Sequence, residues 1–343
     1  MDILSMTLQE WEKTLKQWGE PKFRAKQIFD WLHKKHVTEI DAMTNISKNL
    51  REKIKQNGSI AGAKQVKKLV SQIDGTIKYL FEIENDLIIE SVLMKYGYGN
   101  TACISTQAGC RMGCSFCAST LDGVERNLTA GEMLSQIYEI QKDTERISNV
   151  VLMGSGEPLD NYDNVLRFIH LVNDENGLHL GQRHITVSTC GLVEKIYNLL
   201  EEELQVTLAV SLHAPNDKIR QSIMPIAKKY SMEELLKACK EYSDTTKRRI
   251  TFEYALIKDV NDSDDCAAEL ASKLHHMLCH VNLIPVNDVK ERNYIKSNEE
   301  RVQRFAHIIE QNGIEVTVRR KLGSDINAAC GQLRRSYQKK EKP

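Results

Sequence analysis

Three cysteines crowded into one short polar loop give the strongest chemical signal in the sequence. Cys110, Cys114 and Cys117 lie in the run GCRMGCSFCAST, separated by three and by two residues. Thiolates bind soft metals, and this spacing lets one loop wrap around an ion or a cluster. A structural zinc site usually uses four protein ligands, and no second cysteine pair with zinc-ribbon spacing follows. Three thiolates on a four-iron cube leave one iron open for a substrate or cofactor. We therefore expect an iron–sulfur cluster, with zinc or simply buried thiols as the alternatives.

Composition limits the class of protein. The 343 residues are 41% hydrophobic, enough for one large domain and a smaller one, or for two domains. Lys and Arg together number 47, as do Asp and Glu, so only local basic patches can attract nucleic acid. No apolar run approaches the roughly 20 residues that span a bilayer, and the start MDILSMTLQEW lacks a signal-peptide pattern. We expect a cytoplasmic protein without membrane contact, whose nine cysteines are not a disulfide framework.

The elements that must position the cysteine loop follow from the hydrophobic pattern. Residues 1–60 have helical spacing, beginning with Leu8, Trp11, Leu15 and Trp18. Residues 65–107 alternate and are rich in β-branched side chains, with turn signals at Asp74-Gly75 and Asn85-Asp86 that predict hairpins.

From Thr101 onward, strand and helix patterns alternate. Capping boxes at Thr129/Glu132 and Ser231/Glu234 predict the starts of two helices. The strand candidates are ACIST, NVVLMG, HITVST, VTLAVSL, ITFEYALI, HVNLIPV and IEVTVR. Six or seven such units predict an α/β fold with a parallel sheet that forms a barrel or partial barrel. Active sites of βα barrels lie at the carboxyl ends of the strands, so we expect ligand contacts in GSGEPLD, SLHAPND and IPVND.

These patterns divide the chain into four parts. We expect a helical accessory domain over 1–62 and a β-hairpin extension over 63–100. The partial barrel then occupies 101–330, and a basic tail occupies 331–343.

The C-x3-C-x2-C loop after the first barrel strand resembles that of the radical S-adenosylmethionine superfamily. Phe116, just before the third cysteine, matches the aromatic residue usual there. The resemblance implies a partial (β/α)6-type barrel and one [4Fe–4S] cluster held by Cys110, Cys114 and Cys117. It also implies S-adenosylmethionine, whose amino and carboxylate groups chelate the open iron. An electron from the cluster then cleaves the sulfonium and releases a 5′-deoxyadenosyl radical.

A narrower resemblance covers nearly the whole chain. The motifs that carry it are PKFRAKQIF, CISTQAGCRMGCSFCAST, RNLTAGE, GSGEPLDN, STCG, SLHAPND, IMPI, FEYALIKDVND, NLIPVN and SDINAACGQL. They are similar to those of the bacterial adenine-C2 RNA methyltransferases. The resemblance implies methylation of C2 of adenine 2503 in 23S rRNA and of adenine 37 in certain tRNAs. Closely similar enzymes methylate C8 of the same rRNA adenine and confer antibiotic resistance; GEPL, STCG and LIPVN favour the C2 group.

The same resemblance implies three catalytic residues. Adenine C2 is no nucleophile, so it cannot attack the sulfonium methyl group directly. Cys330 matches the methyl-carrying cysteine, Cys103 its resolving partner and Glu90 the acceptor of the C2 proton. One S-adenosylmethionine methylates Cys330, a second generates the radical, and a Cys103–Cys330 disulfide finally frees the RNA. Taken without the resemblance, Glu90 is an ordinary solvent-facing strand residue.

Cofactor contacts are also implied residue by residue. The positions that match are Gly156, Glu157, Ser188, Ser211, Leu212, His213 and Asn287. Glu157 would pair with the cofactor's ammonium group, and Gly156 would let the backbone approach. His213 taken alone is more often a structural histidine. We expect the remaining cysteines, Cys190, Cys239, Cys266 and Cys279, to be buried fillers or strand residues.

Partners follow from the same comparison. We expect 23S rRNA and tRNA substrates, a monomer, and an electron donor of the flavodoxin or ferredoxin type. The N-terminal helical region resembles the family's RNA-binding accessory domain. Basic clusters occur at 33–36, 64–68, 247–249, 319–321 and 334–343. Arg319 to Lys321 is the best candidate for holding phosphate, and the target adenine must be unstacked to reach a buried cluster.

Two further functions stay open from the sequence besides C8 methylation. One is an iron–sulfur RNA-binding regulator without catalysis, which would leave Cys103 and Cys330 unexplained. The other is a radical enzyme that activates a protein, which would not need Cys330.

Overall fold

The computed structural model describes residues 1–287, 289, 292–329 and 331–332. Cys330 and most of the basic tail expected over 331–343 therefore lie outside the described residues.

Three helices form the N-terminal part. They are α1 (Leu8–Gln17), α2 (Phe23–His33) and α3 (Lys48–Asn57). A capping box of Thr7 and Glu10 starts α1, and Trp11 and Leu15 on its apolar face are fully buried. The helical spacing predicted for this region is confirmed.

Antiparallel strands follow the helices. They are β1 (Lys64–Val70), β2 (Ile77–Ile83), β3 (Leu87–Tyr96) and β4 (Gly99–Cys103), each paired with the next. The β1–β2 connection contains Asp74-Gly75 and the β2–β3 connection contains Asn85-Asp86, where hairpin turns were predicted. A separate two-stranded sheet consists of β5 (Gln107–Gly109) and β6 (Val124–Asn127).

Six more strands extend the large sheet from the other edge of β4, all parallel to it. They are β7 (Ile147–Leu152), β8 (Ile185–Thr189), β9 (Thr207–Ser211), β10 (Ile250–Leu256), β11 (Cys279–Pro285) and β12 (Glu315–Val318). Together with β4 they confirm the seven strand candidates read from the sequence. Among the described residues β12 does not pair back onto β4, whose edge is covered by the antiparallel β3. The array is thus a partial barrel within a mixed α/β fold, as predicted.

Helices connect the parallel strands. They are α4 (Ala130–Gln141), α5 (Tyr162–Asn173), α6 (Val193–Glu201), α7 (Asp217–Ile223), α8 (Met232–Thr246), α9 (Asp264–Leu274) and α10 (Glu299–Gln311). The capping boxes predicted at Thr129 and Ser231 are both formed, at the starts of α4 and α8. Short 3-10 turns lie at Ile3–Ser5, Ile40–Ala42, Glu84–Asp86, Ala118–Thr120, Pro158–Asn161, Gln182–His184, Pro225–Lys228 and Ser324–Ile326.

One continuous cluster of buried apolar side chains runs from Ile3 and Trp11 through the barrel to Ile309 of α10. The N-terminal helices therefore pack directly on the barrel, and the domain boundaries at 62, 100 and 330 stay predictions. In the described part of the chain no helix has the length and apolar character required to cross a bilayer.

A buried histidine lies where α2 meets α4. His33 is 1% exposed, and its Nδ1 lies 2.8 Å from the Tyr138 hydroxyl. The His36 ring stacks on the same tyrosine at 3.9 Å between centroids. Burial, with a smaller contribution from His36, lowers the pKa of His33 from 6.5 to about 3. His33 is therefore neutral in the folded protein at neutral pH.

This burial predicts a pH dependence of folding. The unfolded chain binds a proton at His33 below pH 6.5, whereas the folded chain does so only near pH 3. The contribution of His33 to the unfolding free energy is therefore greatest above pH 6.5. It falls as the pH drops toward 3, by up to about 1.4 kcal/mol per pH unit. His33→Asn should reduce this slope of the unfolding free energy, measured by urea titration between pH 6.5 and 4. His170→Asn, at an exposed position, is the matched control, and equal slopes for wild type and His33→Asn would contradict the assignment.

Candidate functional site

The backbone of the cysteine loop is fixed at both ends by hydrogen bonds. Cys110 directly follows β5, and its N–H donates to the Gly123 carbonyl at 2.9 Å. Gly109 has φ +82°, and a Cβ there would lie 2.0 Å from that same carbonyl oxygen, so only glycine fits. At the other end, the Thr120 hydroxyl donates to the carbonyls of Cys114 and Cys117 at 3.1 and 3.0 Å. The loop therefore holds its three cysteines in a defined arrangement.

Nearly all the positions expected to bind cluster and cofactor line one cavity at the carboxyl ends of the parallel strands. These lining residues include Cys110, Cys114, Cys117, Gly156, Glu157, Ser188, Ser211, His213 and Asn287. Leu212 is not among them; it is buried, and its N–H donates to the carbonyl of Glu253, which itself lines the cavity. The structure thus brings together side chains from five separate segments of the sequence.

Three cysteine thiols in one cavity wall are the donor set that a four-iron cube with one open corner needs. Among the described residues, no three His, Cys, Asp or Glu side chains converge as ligands of one metal ion. A four-iron cube does not require such convergence, because each thiolate binds a different corner. Burial raises the pKa of Cys110 to about 12 and also raises that of Cys114. Iron binding must therefore displace protons from thiols that are neutral without it.

Glu157 is a buried carboxylate held by backbone donors. It is 3% exposed; one oxygen accepts the Leu159 N–H at 3.0 Å and the other the Cys190 N–H at 2.7 Å. Burial raises its pKa, and these hydrogen bonds oppose the rise. Gln107 fixes the same loop, accepting the Glu157 N–H at 2.8 Å and donating to Asp160 at 2.9 Å. A carboxylate has further lone pairs, so Glu157 can still receive a cationic group from the cavity.

Gly156 is required by packing as well as by any ligand. Its φ is +108°, and a Cβ would lie 2.7 Å from the Gln107 side chain and 2.8 Å from the Thr106 hydroxyl. The sequence expectation attributed this glycine to the approach of a cofactor. The close approach of the β5 strand is an additional cause that the structure reveals.

His213 is fixed as a neutral ring. Its Nδ1 accepts the Ala255 N–H at 2.9 Å, which leaves the proton on Nε2. Burial lowers its pKa to about 3, assisted by the positive charge of Arg220. The ring also meets Phe116 edge to face at 4.8 Å. His213 can therefore donate a hydrogen bond from Nε2 without carrying a charge.

Two buried side chains hold the loop of His213. Asn261 donates to the carbonyls of His213 and Ala255, both at 2.7 Å, and accepts the Ile257 N–H. Arg220 is completely buried; its guanidinium donates to Leu212 at 3.2 Å and to the Cys190 carbonyl at 2.6 Å. The charge of Arg220 also acts on Cys114, where it opposes the effect of burial on the pKa.

Cys103 lies in a second cavity that adjoins the first. The two share a wall of Met153, Ile284, Val286, Asn287 and Arg319. The rest of the second cavity is lined by Thr76, Val92, Met94, Cys103, Pro285, Lys296, Arg320, Lys321, Leu322, Ala328 and Ala329. Cys103 therefore lies beside the cavity of the cluster cysteines, in a cavity whose wall also contains basic side chains.

Cys330 itself lies outside the described residues, but its neighbours do not. Ala329 lines the cavity that contains Cys103, whereas Gly331 lines the cavity that contains the cluster cysteines. The Gly331 carbonyl accepts the Ala118 N–H at 2.7 Å, directly after the cysteine loop. The described residues on either side of position 330 thus line two different, adjoining cavities.

Glu90 is buried, not solvent-facing as the sequence alone would suggest. It is 3% exposed, and its carboxylate lies 2.8 Å from the Lys78 ammonium across the β2–β3 pair. Lys78 also donates to the Asn327 carbonyl at 3.1 Å, three residues before Cys330. Glu90 shares a strand face with Val92 and Met94, which line the second cavity, although it is not itself among the lining residues described.

The remaining cysteines differ in their positions. Cys239 and Cys266 are buried in α8 and α9, and Cys279 begins β11, as expected. Cys190, expected to be a filler, lines the cluster cavity, and its backbone holds Glu157. It is therefore part of the site's wall.

Comparison with known proteins identifies the family. Residues 104–271 match the radical SAM superfamily, and residues 1–60 match the N-terminal domain of ribosomal RNA large subunit methyltransferases. A protein of Clostridium novyi named "Probable dual-specificity RNA methyltransferase RlmN" is 59% identical over 98% of both chains. The chain belongs to the RlmN-type radical S-adenosylmethionine RNA methyltransferases.

Further relatives support that membership. A protein of Alkaliphilus oremlandii with the same name is also 59% identical over 98% of both chains. The crystal structure of a radical SAM methyltransferase from Sphaerobacter thermophilus matches with a TM-score of 0.93 and 45% identity, covering 97% of this chain and 99% of that one. Family membership implies RNA as substrate and a [4Fe–4S] cluster with S-adenosylmethionine as cofactors, and the donor set described above fits that cluster.

Sequence reasoning missed several residues that hold the site. The family resemblance implied no role for four buried side chains, each of which holds a residue of the site in place. They are Lys78, Gln107, Arg220 and Asn261. Gln107 and Asn261 fall inside the motifs CISTQAGC and FEYALIKDVND, which was the one available signal. For Lys78 no signal existed, because its partner depends on strand register.

The Lys78–Glu90 pair gives a prediction on stability. Lys78→Met removes the cation from a buried carboxylate and should cost about 3–5 kcal/mol of unfolding free energy, measured by chemical denaturation. Lys64→Met is the matched control, since the Lys64–Glu82 pair spans the same hairpin but Lys64 is 80% exposed; it should cost less than about 1 kcal/mol.

Adding Glu90→Gln to Lys78→Met should recover part of the loss, because the uncompensated charge is removed. A Lys78→Met protein as stable as the Lys64→Met control would show that the pair is not buried as described.

Proposed function

We propose that this protein methylates C2 of one adenine in the peptidyl-transferase centre of 23S rRNA and of the adenine 3′ to the anticodon of some tRNAs. The observation that supports this most is the pair of adjoining cavities, one holding the cluster cysteines and the other Cys103. The dual specificity comes from the names of the relatives, and the choice of C2 from the motifs GEPL, STCG and LIPVN. A C8 product is the competing outcome.

Bound cluster and S-adenosylmethionine would supply the methyl carbon and the radical chemistry that activates it. Glu157 would receive the cofactor's ammonium group, because its carboxylate lines the cavity beside the cluster cysteines and is held in place by N–H groups of two loops. The other carboxylate in the cavity wall, Glu253, already accepts a hydrogen bond from Asn282. Ser188 and Ser211 offer hydroxyl groups from the ends of β8 and β9. His213 offers a neutral Nε2 donor, and Asn287 borders both cavities.

In the proposed reaction Cys330 carries the methyl group as a thioether. Once its carbon is bonded to C2, protein and RNA are joined. The Cys103 thiolate then attacks the Cys330 sulfur, so that a disulfide forms while the bond from that sulfur to the transferred carbon breaks. The carbon takes up a proton to become the methyl group, and the methylated base is released. The proposal is supported by Ala329 and Gly331, which line the two adjoining cavities on either side of Cys330.

Glu90 would accept the proton that leaves C2. Its burial keeps it from water, and the ammonium of Lys78 compensates the charge of the ionised carboxylate. Because Lys78 also binds the carbonyl of Asn327, it links the proposed base to the segment that leads to Cys330.

Reduction of the disulfide is needed after each turnover, so the proposal includes a reducing cytoplasmic setting. Two molecules of S-adenosylmethionine per turnover, a flavodoxin- or ferredoxin-type electron donor and a monomeric enzyme complete it.

The position of methylation is the first test. The protein, reconstituted with iron and sulfide without oxygen, is incubated with S-adenosylmethionine, a reductant and a fragment of 23S rRNA. Mass spectrometry of the digested RNA should show 2-methyladenine. An 8-methyladenine product would overturn the C2 assignment, and no methylation together with no 5′-deoxyadenosine would favour the non-catalytic regulator.

The cysteine pair is the second test. Cys103→Ala should accumulate a covalent protein–RNA adduct, seen as a gel shift that survives denaturation, because the resolving thiolate is missing. Cys330→Ala should give neither adduct nor methylated RNA. Cys266→Ala, a buried cysteine on α9 outside both cavities, is the matched control and should methylate RNA as the wild type does. Full methylation by Cys330→Ala would refute the carrier role.

A further inference from the structure

Two tyrosines stack on one another at the hairpin turn between β3 and β4. The rings of Tyr96 and Tyr98 have centroids 4.9 Å apart and planes within 7° of parallel. Tyr98 is 73% exposed, the largest exposure among the large apolar side chains of the described residues. An exposed aromatic ring held flat against a second ring is costly to hydrate, and such rings are typical of binding surfaces.

The pair is anchored to the cavity that contains Cys103. Tyr96 packs against the cluster of Val92, Met94 and Cys103, and its hydroxyl lies 3.5 Å from the Met94 sulfur. Met94 and Cys103 both line the second cavity. A continuous line of contacts therefore runs from the exposed face of Tyr98 to the thiol proposed to resolve the adduct.

Basic side chains line the same cavity. Lys296, Arg319, Arg320 and Lys321 all line the second cavity. Although the Tyr98 side chain as a whole is exposed, partial desolvation of its hydroxyl raises the pKa, and the positive charge of Arg319 opposes that rise. An aromatic platform beside basic side chains is the combination that binds single-stranded nucleic acid: cations hold phosphates and rings hold bases.

The reaction itself creates a base in need of such a platform. An adenine that enters a buried site must leave its stack, and the flanking base then loses a neighbour. Stacking on tyrosine replaces that contact and does not depend on base identity. This matters for an enzyme whose relatives are named for action on two kinds of RNA, since the flanking bases need not be the same.

We propose that the Tyr96–Tyr98 pair is a stacking platform for the nucleobase that flanks the target adenine in the RNA substrate. The proposal deepens the proposed function and rests on it, because it assumes that the target adenine enters the cavity of Cys103. Tyr98 provides the contact face, and Tyr96 fixes its orientation.

The test measures RNA binding rather than chemistry. Cluster-loaded wild type, Tyr98→Ala, Tyr98→Leu and Tyr98→Phe are titrated without S-adenosylmethionine against a fluorescent RNA hairpin that contains the target adenine. Tyr98→Ala and Tyr98→Leu should raise the Kd about tenfold, and Tyr98→Phe should stay within about twofold of wild type, because it keeps the ring. A Tyr98→Leu protein that binds like wild type would overturn the proposal, since leucine keeps apolar surface without a flat face.

Hairpins with an abasic site 5′ or 3′ of the target complete a double-mutant cycle. At the position that stacks, base removal should weaken wild-type binding about tenfold and leave the Kd of Tyr98→Ala unchanged. If Tyr98→Ala binds more weakly than wild type by the same factor on the intact hairpin and on both abasic hairpins, Tyr98 does not stack on a flanking base and the proposal is wrong. The position of the methyl group, measured on wild type, does not enter this cycle, so failure of the C2 assignment and failure of the platform are separable.

Discussion

The site depends on buried hydrogen bonds that join loops following different strands of an open parallel sheet. Strand ends alone do not fix a side chain, because each is followed by an irregular loop. In this protein, hydrogen bonds between buried polar groups hold the loops in place. The carboxylate of Glu157 joins the loop after β7 to the Cys190 backbone after β8, and Gln107 joins it to the cysteine loop. Each donor and acceptor is buried, so the loss of one of these hydrogen bonds leaves a buried polar group without a partner and releases more than one loop.

A second set of contacts, made by strand pairing and hydrogen bonds, connects the partial barrel to its antiparallel extension. Because β12 does not pair with β4 among the described residues, the edge of β4 is available to β3. That arrangement brings Glu90 and Lys78, from outside the parallel array, onto the same face as Cys103. The Lys78 ammonium then reaches the Asn327 carbonyl near the end of the described chain. The opening of the barrel is thus what lets residues of the extension take part in the proposed chemistry.

Much of this could be predicted from the sequence, for physical reasons that differ by residue. The cysteine loop was recognisable because metal chemistry restricts the residue type and spacing, and the starts of α4 and α8 because capping is local. The burial of Glu90 could not be predicted, because the cation that compensates its carboxylate lies on the neighbouring strand, across the hairpin. Arg220 and Asn261 were missed because their partners are backbone carbonyls, which leave no trace in side-chain patterns. Gly156 was singled out for the approach of a cofactor, which stays a prediction, and the sequence could not show that β5 also approaches it.

The charge distribution shows where a chain with no net charge offers a local basic surface to the proposed RNA substrate. Its 47 basic and 47 acidic residues cancel overall, so long-range attraction is weak and binding must rely on local contacts. Lys296 and the Arg319–Lys321 run concentrate positive charge at the cavity of Cys103. Phosphate contacts of this kind position a strand without reading its bases. In the proposed reaction, selection of the adenine must therefore come from contacts inside the cavity, whose wall combines the Cys103 thiol with the apolar side chains of Met94 and Met153.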